Sequence, residues 1–117
     1  MKILLTGADG FIGHHTAIKL AKSNFELFAI DNGSQNSLNG WHRFIISERK
    51  KLILENGVKT QFLDCRDKSE LKKIFLNFKP EIIIHLAAVP SMVLANEKPS
   101  SAFENNVVST FNILELI

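Results

Sequence analysis

The sequence has almost nothing with which to staple itself. Cys65 is the single cysteine in 117 residues, so no internal disulfide can form, and this usage fits a reducing, cytoplasmic setting. Tyrosine is absent altogether, so no phenol is on hand for acid–base work. No apolar run approaches the roughly 20 residues that a membrane-spanning helix needs. The first apolar run meets Gly7 and Asp9 at once, too early for a signal peptide. A net charge of +2 is too small to argue for nucleic acid or an anionic membrane as partner. The basic cluster Arg49, Lys50 and Lys51 is read as the solvated face of a helix. There is no Cys-x-x-Cys pair, no metal-ligand spacing, no Ser/His/Asp set, no internal repeat and no low-complexity tract. What remains is one ordinary globular domain, 45% hydrophobic and 22% charged, able to bury a small core.

Glycines are few but placed. Residues 2–13 read KILLTGADGFIG, an apolar run, then Gly7, Gly10 and Gly13, then the start of an amphipathic segment. This is strand, glycine turn, helix. Such a turn brings backbone N–H groups and a helix N-terminus up to an anion, typically a pyrophosphate. Gly7 permits the tight turn, Gly10 lets a phosphate approach the backbone, and Gly13 lets the helix pack close to the strand. Phe11 and Ile12 would pack inward while their amides face the phosphate. The alternative is a glycine-rich turn that binds nothing.

The rest of the chain alternates in the same way. Residues 2–6 read as a first strand and 11–22 as a first helix. Residues 26–30 read as a second strand, ended by Asp31, Asn32, Gly33 and Ser34, with a polar loop to Gly40. Residues 41–55 suit a second helix, stopped by Asn56 and Gly57. A third strand at 58–63 leads into a helix reaching Phe78, with Asp67 or Ser69 as its cap and Pro80 as its stop. A fourth strand at 81–86 is followed by a loop over 87–99, then by a helix from 100 that still runs at 117. Strands that are apolar throughout, separated by helices, predict an α/β fold with a parallel sheet covered on both faces. The predicted architecture is a Rossmann-type three-layer sandwich of strand order 3-2-1-4.

Several side chains could carry chemistry. Asp31 ends the second strand, where a carboxylate accepts hydrogen bonds from the ribose hydroxyls of a dinucleotide. Its charge would repel a 2′-phosphate, which favours NAD over NADP. Asp-Asn-Gly is also turn chemistry in its own right. Asp64, after the third strand, could accept an adenine amino proton or cap the next helix. His85 invites reading as a base, but a histidine in a buried strand is more simply one whose hydrogen bonds are satisfied. His14 and His15 lack the partners of a metal site. Cys65 reads as a packed rim residue. The result is a binding site without an evident catalytic apparatus.

Taken together, TGADGFIG (6–13), IDN (30–32), FLDCRD (62–67), HLAA (85–88), Pro99 and NNVVSTFNILE (105–115) resemble the extended short-chain dehydrogenase/reductases. The branch is that of the NAD-dependent nucleotide-sugar epimerases and dehydratases. The resemblance covers the whole chain. It implies that Gly7, Gly10, Phe11, Ile12 and Gly13 form the pyrophosphate loop of bound NAD. Asp31 and Asn32 would hold the adenosine ribose, with Gly33 and Ser34 nearby. Asp64 and Cys65 would flank adenine, and Leu86, Ala87 and Ala88 would line the cofactor. Asn105 would approach the nicotinamide half, and Asn106 would tie its helix to the sheet. Ala95 stands where the family often has serine, Ser109 where it often has glycine, and Cys65 where it more often has an aliphatic residue. The family's catalytic Tyr-x-x-x-Lys pair and its sugar-binding domain have no counterpart here. Residues 1–117 are therefore expected to be the first part of an NAD-binding domain, stopping before strand five and inactive alone. The nucleotide-sugar substrate belongs to the full-length enzyme. An NAD-sensing module without catalysis is the alternative. Self-association through the open edge of the fourth strand is expected.

Overall fold

The apolar runs become a sheet. In the computed structural model, which describes residues 1–34 and 39–117, β1 (Lys2–Thr6), β2 (Glu26–Asp31), β3 (Lys59–Phe62) and β4 (Ile82–His85) pair in parallel. The order is β3-β2-β1-β4, as the sequence predicts. Ile3 stands opposite Leu27 and Ile82, and Thr6 opposite Ile30 and His85.

Successive strand residues face opposite sides, and β1 shows the consequence. Ile3 and Leu5 join a core with Ala17, Leu27, Ala29, Ile53 and Val58. Leu4 joins a second core with Ile30, Leu63, Leu71, Ile74, Phe78 and Ile113. The first core is roofed by α1 (Phe11–Lys22) and α2 (Gly40–Glu55). The second is roofed by α3 (Lys68–Phe78) and α6 (Ser109–Leu114). A strand that feeds two cores must be apolar throughout, which is why β1 carries no alternation.

Helix ends follow their caps. Asn39 accepts from the His42 amide at the start of α2, and Asp67 accepts from the Glu70 amide at the start of α3. Of the two cap candidates for α3, the structure uses Asp67. Lys79, in the left-handed region at φ +53°, closes α3 just before Pro80.

Phe11 and Ile12, expected to pack inward, stand exposed at 68% and 65%. Three further expectations, on the elements, need correction. The span 87–99 is not all loop: Ser91 caps a short helix, α4 (Met92–Glu97). Six residues are too few to show helical periodicity against a loop background. The last helix is not uniform either. It comprises α5 (Pro99–Phe103), a π-helical turn (Glu104–Val108) and α6, and it closes at Leu114 rather than running to the last residue. Strand three is shorter than 58–63, because the Val58 amide turns back to the Ile53 carbonyl at the end of α2. The expected polar loop falls partly on residues 35–38, which lie outside the described residues. Because all strands run the same way, the loops after β1, β2, β3 and β4 emerge together along one edge of the sheet, where parallel α/β folds place ligands.

Candidate functional site

The loop after β1 is built around two close approaches. Gly7 has φ +70°, and a Cβ there would lie 2.7 Å from the Ala87 amide nitrogen. A Cβ on Gly13 would lie 2.0 Å from the Gly7 carbonyl oxygen. Neither position accepts a side chain without moving backbone. The helix α1 therefore starts tight against the strand, with its first-turn amides at the mouth of a cavity of about 530 Å³. Its N-cap is Gly10, which offers no capping side chain, whereas α2, α3 and α4 are capped by Asn39, Asp67 and Ser91. The amides of the first turn have no partner within a helix. Left uncapped, they suit an external anion.

Asp31 faces this loop. Its Oδ2 accepts from the Asp9 amide at 3.0 Å and its Oδ1 from the Gly33 amide at 2.8 Å. The turn reading and the ligand reading of this residue are therefore both served. The carboxylate shapes the turn, which Gly33 completes at φ +62°, and it keeps roughly half its acceptor capacity for a ligand hydroxyl. Asn32 accepts from the Ser34 amide and donates to Asp64 Oδ2 at 3.0 Å.

Asp64 is more fully engaged than the sequence suggests. It accepts from the Arg66 amide (2.8 Å), Arg66 Nε (3.0 Å), Arg66 Nη2 (2.8 Å) and Asn32 Nδ2. The Arg66 guanidinium, first among these donors, holds the carboxyl down at a pKa of about 2. It caps no helix, since Asp67 does that. Cys65 is buried beside it, and that burial pushes its thiol up to about 12, so it is inert packing rather than a nucleophile.

His85 is a structural tie. Thr6 Oγ1 accepts from the Leu86 and Ala87 amides, both at 3.1 Å, and lies 2.6 Å from His85 Nδ1. With both lone pairs used, the Thr6 hydroxyl proton must point at Nδ1. The ring then carries its proton on Nε2, which donates to Thr110 Oγ1 at 3.1 Å, and Thr110 in turn donates to the Asn106 carbonyl. Burial lowers the His85 pKa, in keeping with a neutral ring. Asn106 clasps the loop after β4: Oδ1 accepts from the Val89 amide at 2.7 Å and Nδ2 donates to its carbonyl at 3.3 Å. The neighbouring Asn105 lines the cavity while its side-chain amide donates to the Ser101 carbonyl.

Every residue expected at the site lines this one cavity: Gly7, Gly10, Phe11, Ile12, Gly13, Asp31, Asn32, Gly33, Ser34, Asp64, Cys65, Leu86, Ala87, Ala88 and Asn105. Sequence reasoning missed Asp9, His42, Ile46 and Arg49, which line it too. The solvated-face reading of the basic cluster holds for Lys50 and Lys51, which are exposed, but not for Arg49, which is half-buried over the glycine loop. Asp9 carried a signal, as the one charged residue inside the glycine triad. The α2 residues carried none, because their facing depends on how α2 docks on α1. Burial, then the adjacent Asp31 charge, raise the Asp9 pKa to about 6.

A glycine loop meeting an uncapped helix, with a carboxylate at the end of the next strand, defines a dinucleotide-binding α/β protein. The chain matches the model of the NAD dependent epimerase/dehydratase family over residues 3–117 and belongs to that family. Among curated relatives, UDP-glucose 4-epimerase 2 of Arabidopsis thaliana is 34% identical, covering 98% of this chain and 32% of that protein. UDP-glucose 4-epimerase of Caenorhabditis elegans is 36% identical, covering 99% and 34%. Among solved structures, UDP-glucose 4-epimerase of Thermus thermophilus in complex with NAD superposes with a TM-score of 0.78 at 30% identity, covering 99% of this chain and 33% of that one. The chain thus spans about a third of the length of the relatives it matches.

The fit to NAD is also physical. The uncapped amides of α1 suit a diphosphate, and the Asp31 acceptors suit a ribose diol. Among the described residues no group of three or more His, Cys, Asp or Glu side chains could hold a metal, and no helix is long and apolar enough to cross a membrane.

Proposed function

We propose that this chain is the NAD-binding part of a nucleotide-sugar epimerase or dehydratase, and that by itself it binds NAD without turning over a sugar. The observation that carries the reading is Asp31, whose carboxylate is held against the glycine loop through the Asp9 amide. The diphosphate lies at the amides of Phe11 and Ile12, and the adenosine ribose at Asp31 and Asn32. Adenine lies toward Asp64 and Cys65, although its amino group reaches Asp64 only by displacing one of the donors already there. Leu86, Ala87 and Ala88 lie along the cofactor, and Asn105 lies toward its nicotinamide half. When bound, NAD supplies a hydride acceptor and donor. This chain's residues bind and orient it; the Tyr/Lys pair that the family uses for proton transfer has no tyrosine here to supply it.

The uncovered flank supports self-association. The β4 strand pairs with β1 on one side, and Phe103, Val107, Phe111 and Leu114 stand exposed along α5, the π turn and α6.

Calorimetric titration of the chain with NAD tests the binding role. Saturable heat is expected, with Kd as weak as about 1 mM, worth about 4 kcal/mol. Asp31→Ala is expected to weaken NAD at least tenfold. Absence of heat at several millimolar NAD sinks the reading.

A further inference from the structure

Arg49 brings the one Lys or Arg side chain among the described residues that line the cavity, while Asp9, Asp31 and Asp64 bring three carboxylates. It comes from the middle of α2, which packs against α1. Its Nη1 donates to the Asp9 carbonyl over a long 3.4 Å, and its guanidinium carbon lies 5.7 Å from the centroid of the Phe11 ring. The cation is thus parked on the residues that carry the loop amides. A guanidinium has five N–H donors in a planar fork that matches phosphate oxygens, and the bond to Asp9 engages one terminal nitrogen.

Resting on the dinucleotide reading above, we propose that Arg49 is a phosphate ligand of this site, meeting the diphosphate of NAD beside the first turn of α1. A doubly charged diphosphate entering a cleft lined by three carboxylates needs a counter-charge. The α1 terminus supplies about half a positive charge, and Arg49 adds a full one beside it. Its stacking on Phe11 holds the guanidinium close to the loop before the ligand arrives, which lowers the ordering cost of binding. Lys50, the next residue, is exposed and lies outside the cavity lining.

The experiment is calorimetry of the parent chain, Arg49→Gln and Arg49→Lys with ADP-ribose and with adenosine. Arg43→Gln, an exposed arginine on the same helix, is the control. For Arg49→Gln, ADP-ribose is expected to weaken roughly tenfold or more, the value of a charged hydrogen bond, while adenosine holds within twofold. Arg49→Lys, which keeps the charge but loses the fork and the stacking, is expected to fall between Arg49→Gln and the parent, and Arg43→Gln is expected to keep all of the affinity. ADP-ribose binding to Arg49→Gln within twofold of the parent overturns the proposal and leaves the dinucleotide reading intact. Equal losses for ADP-ribose and adenosine also overturn it, because they point to a displaced α2. A parent chain that binds neither ligand overturns both readings.

Discussion

Asp9 is a carboxylic acid in an awkward place. Its backbone is pinned at both ends, the amide to Asp31 and the carbonyl to Arg49. Its side chain is partly buried beside the Asp31 carboxylate, which with that burial raises its pKa from 3.8 to about 6. A carboxyl raised in the folded state holds its proton longer than in the unfolded chain. Stability is therefore highest with Asp9 protonated, and is lost as pH rises from about 4 through about 6. A shift of two units is about 3 kcal/mol in full, and solvent screening of a partly exposed group leaves about 1 kcal/mol. Asp9→Asn is expected to be more stable than the parent at pH 7.5 by about that amount, with the gap closing toward pH 4. Thermal melts followed by circular dichroism across this range check it, and a gap of constant size counts against it. Asp64 works in the opposite direction: with its pKa near 2, its contribution is present above about 4 and fades below, outside the window that Asp9 controls.

The elements are held together by a few buried joints. Asn112 on α6 is 6% exposed, and its Nδ2 donates to the carbonyls of Cys65 (3.1 Å) and Arg66 (3.0 Å). Those carbonyls belong to the loop that leaves β3, so one amide docks α6 onto the second core. Asn112→Leu removes the donor and leaves the Cys65 and Arg66 carbonyls without it, at a cost of about 2 kcal/mol. A midpoint shift of that size in urea unfolding is the expected reading, and an unchanged midpoint would show that α6 docks by its apolar contacts alone. The α3 side offers a comparison. Leu71 is fully buried in the same core, and Leu71→Ala is expected to cost more, about 3 kcal/mol, through the cavity it leaves. The order of the two variants, Leu71→Ala below Asn112→Leu, tests whether packing or the polar joint dominates that face.

At the scale of the molecule, the inner strands are covered on both faces, while the outer strands β3 and β4 are far more exposed. Inner strand β1 is buried from Ile3 to Thr6, while Ile82 on β4 is 40% exposed. An unpaired edge with apolar helix residues beside it favours pairing with another chain. Light scattering at increasing concentration is expected to show a dimer. Phe111→Lys, which places a charge at the centre of the exposed stripe, is expected to shift the mass toward monomer. A parent mass that stays monomeric at all concentrations removes the self-association proposal.

Sequence alone determined the order of strands and helices, the parallel sheet and the glycine loop. Each depends on local rules: apolar runs too short for anything but buried strands, breakers between them, and glycines at positions where backbone meets backbone. It also placed Asp31 at the end of β2, because a strand end is set by a few adjacent residues. The short α4 and the π turn stayed hidden, since six residues carry too little periodicity and a one-residue bulge leaves the composition unchanged. Only the tertiary structure decided that Asn32 joins the donors that the nearby Arg66 brings to Asp64, that His85 is a neutral tie between Thr6 and Thr110, and that Arg49 points into the cleft rather than to solvent. Those outcomes depend on which faces of α2, α3 and α6 dock on the sheet. Docking is fixed by contacts between residues dozens of positions apart, which no window along the chain contains.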